Sequence, residues 1–335
     1  MVRWTRVIAL AGLAVATFSL TACERTITNV ESTQQALACT DCHVDNNLIT
    51  GKQSQWAQST HGTGLTFLEQ GTNRSCAGCH SGNAFQERIH AGLEPNELTA
   101  GDANPTRQDC RACHQIHETY TMTDFTLRTA TPVAMYAVAG STYDGGEGNL
   151  CVNCHQPRRN APVAVNGTIT GISEHWGPHH GPQSAMLLGV AGAGVTGTPH
   201  GHYGAVTNTC VQCHMGDGRD HHFEPEVSTC QTCHVGATSF DVNGRQTEIE
   251  ALSDSLGAML VTAGLINENS PDGHPIVTSA PEAQGQAMWN WIYVHHEDQS
   301  MGVHNYTYAK ALLEYGLAAM TAPATAPMIV TRSSH

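Results

Sequence analysis

The sequence predicts a mainly α-helical and irregular fold with a helical C-terminal region, and three observations lead to this prediction. Aromatic residues make up only 6% of the 335 residues, whereas glycine occurs 33 times, so the chain has little material for a conventional core. Twelve of the 13 cysteines lie in short repeats between residues 39 and 234, where long periodic segments are scarce. Beyond residue 240, apolar residues recur at helical spacing, most clearly over residues 246–266.

The repeats are six Cys-x-x-Cys pairs, each followed directly by a histidine. This spacing is the attachment signature of haem c, in which two thiols add to the vinyl groups of the porphyrin and the histidine ligates the iron. Zinc sites and disulfides also use cysteine pairs, but neither requires a histidine after every pair. A redox Cys-x-x-Cys of the thioredoxin kind normally occurs once. The sequence therefore predicts six haem c groups.

The predicted attachment residues are the two thiols of each motif, and the proximal iron ligand is the histidine that ends it. The thiols are Cys39 and Cys42, Cys76 and Cys79, Cys110 and Cys113, Cys151 and Cys154, Cys210 and Cys213, and Cys230 and Cys233. The proximal histidines are His43, His80, His114, His155, His214 and His234. Because so little protein is available per haem, we expect the polypeptide to wrap around a chain of six stacked haems.

The first 22 residues have the features of an export signal. Two arginines precede an apolar run, residues 7–20, that is too short to span a bilayer comfortably. The run leads into Leu-Thr-Ala-Cys, which looks like a lipoprotein cleavage site and would make Cys23 the lipidated first residue. The alternative is an ordinary signal peptide that is cut near Ala22. Glu24 follows instead of the aspartate that often retains lipoproteins at the inner membrane, so we expect an outer-membrane lipoprotein that faces the periplasm or the cell surface.

Five segments follow from these features. Residues 1–22 are the predicted lipoprotein signal peptide, 23–38 a polar tether, 39–240 the multihaem domain, 241–320 a helical region that donates a distal ligand, and 321–335 a loose tail.

Each iron needs a second axial ligand, and that ligand decides between an electron carrier and a catalyst. A second histidine closes the iron, whereas an open position can bind substrate. His202 and His222 each stand eight residues before a motif, and a threonine directly precedes the first cysteine in both cases. This repetition predicts that both are distal ligands. Their neighbours His200 and His221 lack the shared offset and are less favoured.

Another candidate, His117, follows proximal His114 by only three residues. So short a link cannot carry the chain to the opposite face of the same haem, so we assign His117 to an adjacent haem.

Several stretches resemble the multihaem c-type cytochromes that include the cytochrome c nitrite reductases, the hydroxylamine oxidoreductases, the octahaem cytochromes and their electron-transfer relatives. They are WAQSTHG (56–62), WGPHHGPQSAMLLG (176–189), DHHFEPEVSTCQTCH (220–234) and VHNYTYAKALLEYG (303–316). In such proteins, similar phrases carry distal histidines. The resemblance therefore implies distal ligands at His61, His179 or its neighbour His180, His222 and His304.

Other residues offer alternatives. His90, His295 or His296 could replace one of the chosen distal ligands. Arg158 and Arg159 directly follow the fourth motif and either bind haem propionates through bidentate contacts or form a solvated turn.

The chain departs from the enzymes of these families. The nitrite reductases typically hold their active haem through Cys-x-x-Cys-Lys, whereas the two lysines here, Lys52 and Lys310, are far from any cysteine pair. A surplus of histidines favours six low-spin haems with two histidine ligands each. The sequence therefore predicts an electron-transfer protein rather than an enzyme.

The expected partners are other redox proteins of the periplasm or outer membrane and an extracellular electron acceptor. A formal net charge of −14 disfavours nucleic acid as a partner. Two alternatives stay open: a reductase of a small nitrogen or sulfur oxyanion at one open haem, and a homo-oligomer or filament in which the haem chain continues between subunits.

Overall fold

The computed structural model describes residues 47–179, 181–267, 273–321 and 330–331. The first cysteine motif (39–43), Cys23 with the signal peptide and tether, and His180 lie outside the described residues, as does most of the predicted tail. Within the described ranges, helices and irregular segments predominate and the few strands are short. The prediction of a mainly α-helical and irregular fold is therefore confirmed.

The N-terminal part of the described chain, up to residue 113, contains short helices. They are α1 (Asn47–Gln58), α2 (Thr60–Thr63), α3 (Thr66–Gln70), α4 (Arg74–His80), α5 (Gly82–Ala91) and α6 (Cys110–Cys113). Ser81 separates α4 from α5 because its backbone is extended, and its side chain caps α5 by accepting a hydrogen bond from the Ala84 amide. Gly92 ends α5 in the left-handed conformation that favours glycine.

The middle of the chain is largely irregular, with single helical turns. They are α7 (Asn149–Val152), α8 (Gln183–Leu188), α9 (Gly201–Ala205), α10 (Cys210–His214) and α11 (Val227–Cys230), together with 3-10 turns at Met122–Phe125, Gly146–Gly148 and Val242–Gly244.

Three longer helices form the C-terminal region. They are α12 (Arg245–Thr262), α13 (Glu282–Ile292), which continues as a π-helical turn over Tyr293–Asp298, and α14 (Tyr306–Thr321). The apolar face predicted within 246–266 is buried at Ile249, Leu256 and Leu260. No helix in the described ranges is both long enough and apolar enough to cross a bilayer.

Five short strands accompany the helices in the described ranges. A hairpin pairs β1 (Val133–Ala134) with β2 (Thr142–Tyr143) in antiparallel register. A three-stranded antiparallel sheet has the order β3 (Thr168–Thr170), β4 (Val277–Pro281) and β5 (Val330–Thr331), with Ile169 opposite Ala280.

The main hydrophobic core lies between the C-terminal helices and this sheet. Trp289 is 1% exposed, packs edge-on against Trp176, and donates from its indole Nε1 to the Ala191 carbonyl at 2.9 Å. In contrast, the region around the second motif has a small buried apolar cluster, built from Ala77 in α4, Ala84 in α5 and Leu98 beyond α5. The C-terminal region therefore supplies most of the conventional core, and the cysteine motifs lie largely outside it.

Asn290→Ala is expected to destabilise this core. The Asn290 side chain is fully buried, accepts from the Ala193 amide at 2.7 Å, and donates to the carbonyls of Ala193 and Leu312 at 2.9 and 3.3 Å. Its removal leaves buried polar groups without partners, at about 1–3 kcal/mol each, so we expect a loss of roughly 2–4 kcal/mol. Urea denaturation followed by far-UV circular dichroism measures it. The exposed Asn104→Ala is the control, and equal midpoints for the two variants would contradict the role of Asn290.

Candidate functional site

Each described cysteine motif closes one turn of helix. The histidine amide donates to the carbonyl of the first cysteine in the motifs of His114, His155 and His234, at 2.8, 2.9 and 2.7 Å. Residues three and four positions apart share one face of a helical turn. The two thiols and the imidazole of each motif therefore project to the same side, as attachment and ligation of one haem require.

One continuous cavity joins the five described motifs. It has a volume of about 2430 Å³, and all ten of their cysteines and all five of their histidines line it. Pockets for a drug-sized ligand occupy roughly 300–1,000 Å³. The cavity therefore has room for several large groups in contact with one another.

Each of the five described proximal histidines faces a second imidazole across this cavity. The partners come from distant parts of the chain. The pairs and the distances between their ring centres are His61 with His155 at 6.2 Å, His80 with His179 at 6.2 Å, His114 with His221 at 6.3 Å, His202 with His234 at 6.1 Å, and His214 with His304 at 6.3 Å.

These distances fit two imidazoles on opposite sides of one metal ion. A histidine nitrogen binds zinc at about 2.0–2.1 Å, and the ring centre lies about 1.1 Å behind that nitrogen, so two opposed ligands place their ring centres roughly 6.2–6.4 Å apart. The observed range of 6.1–6.3 Å matches this spacing, which is too wide for direct stacking of the rings. The paired residues therefore fit the iron of a haem.

Hydrogen bonds at Nδ1 give several of these imidazole rings the same orientation. Carbonyl oxygens bind the Nδ1 atoms of four of these histidines, so each Nδ1 carries the proton and leaves Nε2 as the ligand atom. They are His114 with Phe125 at 2.8 Å, His214 with Phe223 at 3.0 Å, His202 with Val303 at 3.1 Å, and His221 with Arg219 at 2.7 Å. His155 Nδ1 lies 3.2 Å from the amide oxygen of Gln183 in the same manner.

Burial keeps several of these imidazoles neutral. Burial, reinforced by the neighbouring His155, lowers the pKa of His61 to about 4. It also lowers the pKa values of His202, His214 and His221. The neutral ring is the form that binds a metal, so these sites are ready for ligation at neutral pH.

His304 differs because a carboxylate holds its ring. Asp298, whose side chain is completely buried, accepts from His304 Nδ1 at 2.7 Å. Burial alone would lower the pKa of His304, but this carboxylate outweighs it and raises the pKa. An imidazole bonded to a carboxylate is a more basic ligand.

The remaining predicted distal ligands also line the cavity. His117 stacks on the ring of Tyr120 at 5.6 Å, and its φ of +68° lies in the left-handed region. His179, with a φ of +84°, also departs from the usual backbone conformations. Non-glycine residues in that region cost energy and cluster at functional sites. The Nδ1 of His222 lies 2.6 Å from an Asp220 carboxylate oxygen.

The sequence ranked His222 above His221, yet the ring that faces His114 is that of His221. The eight-residue offset also does not show which motif a histidine pairs with. His202 lies eight residues before the fifth motif, yet it faces His234 of the sixth motif rather than His214 of the fifth. His200 and His296 line the cavity as well. The eight-residue offset favours His222, and no feature of the sequence favours His221 over it.

Neighbouring motifs touch one another in the cavity wall. Cys79 Sγ lies 3.9 Å from the Asn153 carbonyl, and Cys154 Sγ lies 3.9 Å from the Cys79 carbonyl, so the second and fourth motifs are in reciprocal contact. Cys210 Sγ lies 4.0 Å from the Gly148 carbonyl, which brings the fifth motif against the turn that precedes the fourth. The fourth motif thus lies between the second and the fifth.

Of the two arginines predicted to bind propionates, only Arg158 lines the cavity, where its Nη1 lies 3.9 Å from Cys76 Sγ. Arg159 instead donates to the His175 carbonyl at 2.8 Å. Arg111, Arg219 and Arg245 also line the cavity and add positive charge there.

No protein-family profile and no curated protein sequence matches this chain. Among solved structures, its fold is similar to that of a cytochrome. That structure is the outer cell wall cytochrome OcwA, which is 22% identical with a TM-score of 0.50, and the match covers 81% of this chain and 50% of that chain. A match to the undecahaem cytochrome from the S-layer of Carboxydothermus ferrireducens has 18% identity and a TM-score of 0.45, and covers 78% of this chain and 40% of that chain. This chain therefore spans about half the length of OcwA, and at this identity the likeness concerns the fold alone.

Proposed function

We propose that this protein is a hexahaem cytochrome c that carries electrons through low-spin haems with two histidine ligands each. The observation that carries the proposal is the set of five imidazole pairs at 6.1–6.3 Å around one cavity. The Cys-x-x-Cys-His turns and the fold shared with a cytochrome support it.

The pairs nominate the axial ligands of five haems. We assign His179 to the haem of His80, His221 to that of His114, His61 to that of His155, His304 to that of His214, and His202 to that of His234. His117 and His222, which line the same cavity, are the candidates for the haem of His43.

A bound haem would supply a one-electron couple at its iron, and the residues of the chain would do the rest. Each histidine pair would hold one haem iron and would leave no position on it for substrate. Carbonyls and carboxylates fix the ring orientations through Nδ1. The contacts between the second, fourth and fifth motifs would bring the haems attached there close together, and short separations favour electron transfer.

A reductase of a small oxyanion is the weaker candidate. It needs an iron with one open axial position, but a second imidazole faces every proximal histidine in the described part of the chain. We therefore favour an electron carrier.

For its location, we propose export to the cell envelope, with other redox proteins or an extracellular acceptor as partners. The predicted signal peptide and the fold shared with an outer cell wall cytochrome support export. Lipidation at Cys23 and an outer-membrane position are part of this proposal, and so is the alternative of a filament.

A haem count and the spin state of the oxidised protein test the proposed function. We expect a pyridine haemochrome assay to give six haems per chain and electron paramagnetic resonance to give only low-spin ferric signals. High-spin signal that nitrite or hydroxylamine shifts would support the reductase instead. A protein that carries no haem after expression with a cytochrome c maturation system would refute both.

Asp298→Asn is expected to raise the reduction potential of one haem, that of the fifth motif. The carboxylate makes His304 a more basic ligand and so stabilises the ferric state, whereas the amide does not. Potentiometric titration followed in the visible spectrum measures the change. The exposed Asp217→Asn is the control, and identical titration curves for wild type and Asp298→Asn would contradict the role of the carboxylate.

A further inference from the structure

Arg88 is a buried cation that lies between two attachment motifs. It is 1% exposed, and its guanidinium stays protonated in proteins. Its Nη1 donates to Cys79 Sγ at 3.5 Å, and its Nη2 donates to the carbonyl and side-chain oxygens of Asn153 at 3.0 and 3.2 Å. Arg88 therefore touches the second motif at its second cysteine and the fourth motif next to its second cysteine.

The positive charge of Arg88 has little compensation within the described part of the chain. Its guanidinium lies over the ring of Phe85 at 5.1 Å, and its Nε is buried without a hydrogen-bond partner. The ion pairs of the described residues involve other arginines and lysines. A buried charge without a counter-charge is costly, so its presence beside two motifs calls for an explanation.

Arg88 also differs in position from the arginines that could meet haem propionates. Arg111, Arg158, Arg219 and Arg245 line the cavity, whereas Arg88 lies behind the two motifs and is not among the lining residues. Salt and water screen an exposed charge, but a buried charge acts on its surroundings through a low dielectric. The charge of Arg88 therefore acts on whatever is attached to the two motifs that it contacts.

We propose that Arg88 raises the reduction potentials of the two haems attached at Cys76–Cys79 and at Cys151–Cys154. The inference rests on the proposed function. Reduction of each ferric iron takes one electron from an external reductant, forms and breaks no bond, and lowers the charge of the site by one. A fixed cation nearby stabilises the state with the lower positive charge.

Three variants test this role. Arg88→Met removes the charge and keeps much of the side-chain length, Arg88→Gln removes the charge but keeps an amide that can reach Asn153, and Arg88→Lys keeps the charge. Arg159→Met is the matched control because Arg159 is exposed, does not line the cavity and donates to the His175 carbonyl. Each purified holoprotein is titrated with dithionite and ferricyanide in the presence of mediators, with the visible spectrum as readout, and haem is counted by pyridine haemochrome.

We expect two of the titrating components to move to lower potential in Arg88→Met or Arg88→Gln, with the haem count unchanged. Arg88→Lys and Arg159→Met should keep the wild-type curve. If either neutral variant retains all its haem and titrates like wild type, the inference about Arg88 is wrong while the proposed function stands. If both neutral variants fail to fold, a wild-type curve for Arg88→Lys supports the role of the charge, and a shifted curve overturns it. A wild-type protein without haem overturns both.

Discussion

His304→Ala is expected to convert one haem in six from low spin to high spin. The ring of His304 lies 6.3 Å from that of His214 and is held there by Asp298. Removal of the His304 ring would leave the haem of the fifth motif with one histidine ligand. Loss of a strong-field ligand opens that iron to water or to added ligands. Electron paramagnetic resonance of the oxidised protein measures the high-spin fraction.

Added imidazole separates this effect from unfolding. In His304→Ala, the vacated space beside His214 should accept imidazole from solution and return the haem to low spin. The exposed His90, which does not line the cavity, provides the control His90→Ala. A purely low-spin spectrum of His304→Ala before imidazole is added would show that another residue ligates this iron.

Removing the fourth haem is expected to divide the electron-transfer chain. The double variant Cys151→Ser and Cys154→Ser abolishes both thioether bonds of the motif that lies between the second and the fifth. Cys154 contacts the Cys79 carbonyl, and the turn before Cys151 contacts Cys210. Without a haem at this position, electrons must cross a longer gap between the haems on either side.

Stopped-flow reduction with a substoichiometric donor measures the division. Wild type should equilibrate its haems in a single fast phase, whereas the double variant should show one haem fewer and a second, slower phase. The matched control, Cys230→Ser with Cys233→Ser, also removes one haem but leaves the second, fourth and fifth motifs in contact. Equal single-phase kinetics in both double variants would mean that the fourth haem is not on the path.

The proposed proximal ligands follow from the sequence alone because covalent attachment of a haem requires a fixed local spacing. Two vinyl groups and one iron within a single macrocycle require two thiols and an imidazole on one helical turn, and the described motifs form that turn. The C-terminal helix over Arg245–Thr262 was equally predictable because its buried residues recur at helical spacing. Both the cysteine motif and the helical spacing of apolar residues involve residues that are close together in the sequence.

The proposed distal ligands were harder to predict because they depend on how distant segments of the chain meet. His179 faces His80 and His304 faces His214, yet nothing local in the sequence connects the members of either pair. Neighbours in the sequence can also have different roles. The His221 ring is held by the Arg219 carbonyl, whereas that of His222 is held by the Asp220 carboxylate.

No pattern in the sequence indicated a role for Asp298 or Arg88. Each acts through a contact with a residue outside its own helix or turn, Asp298 with His304 and Arg88 with Cys79 and Asn153. Burial of a charged side chain emerges only when the chain has folded, so composition and periodicity cannot reveal it.

The proposed long-range pairing of the histidines implies an order in which the haem sites would be completed. An exported chain, as proposed above, leaves the translocase with its N-terminus first, so the attachment machinery would meet the motifs of His80, His114 and His214 before their paired histidines His179, His221 and His304 have appeared. The pair of His61 and His155 can close first, whereas the haem of His214 must wait for His304, just before the last long helix. Each closure then ties off a long loop, and the unfolded chain loses entropy as it would with a disulfide. Ligation would therefore proceed from the N-terminal toward the C-terminal part of the chain, and among the five pairs that of His214 with His304 would form last.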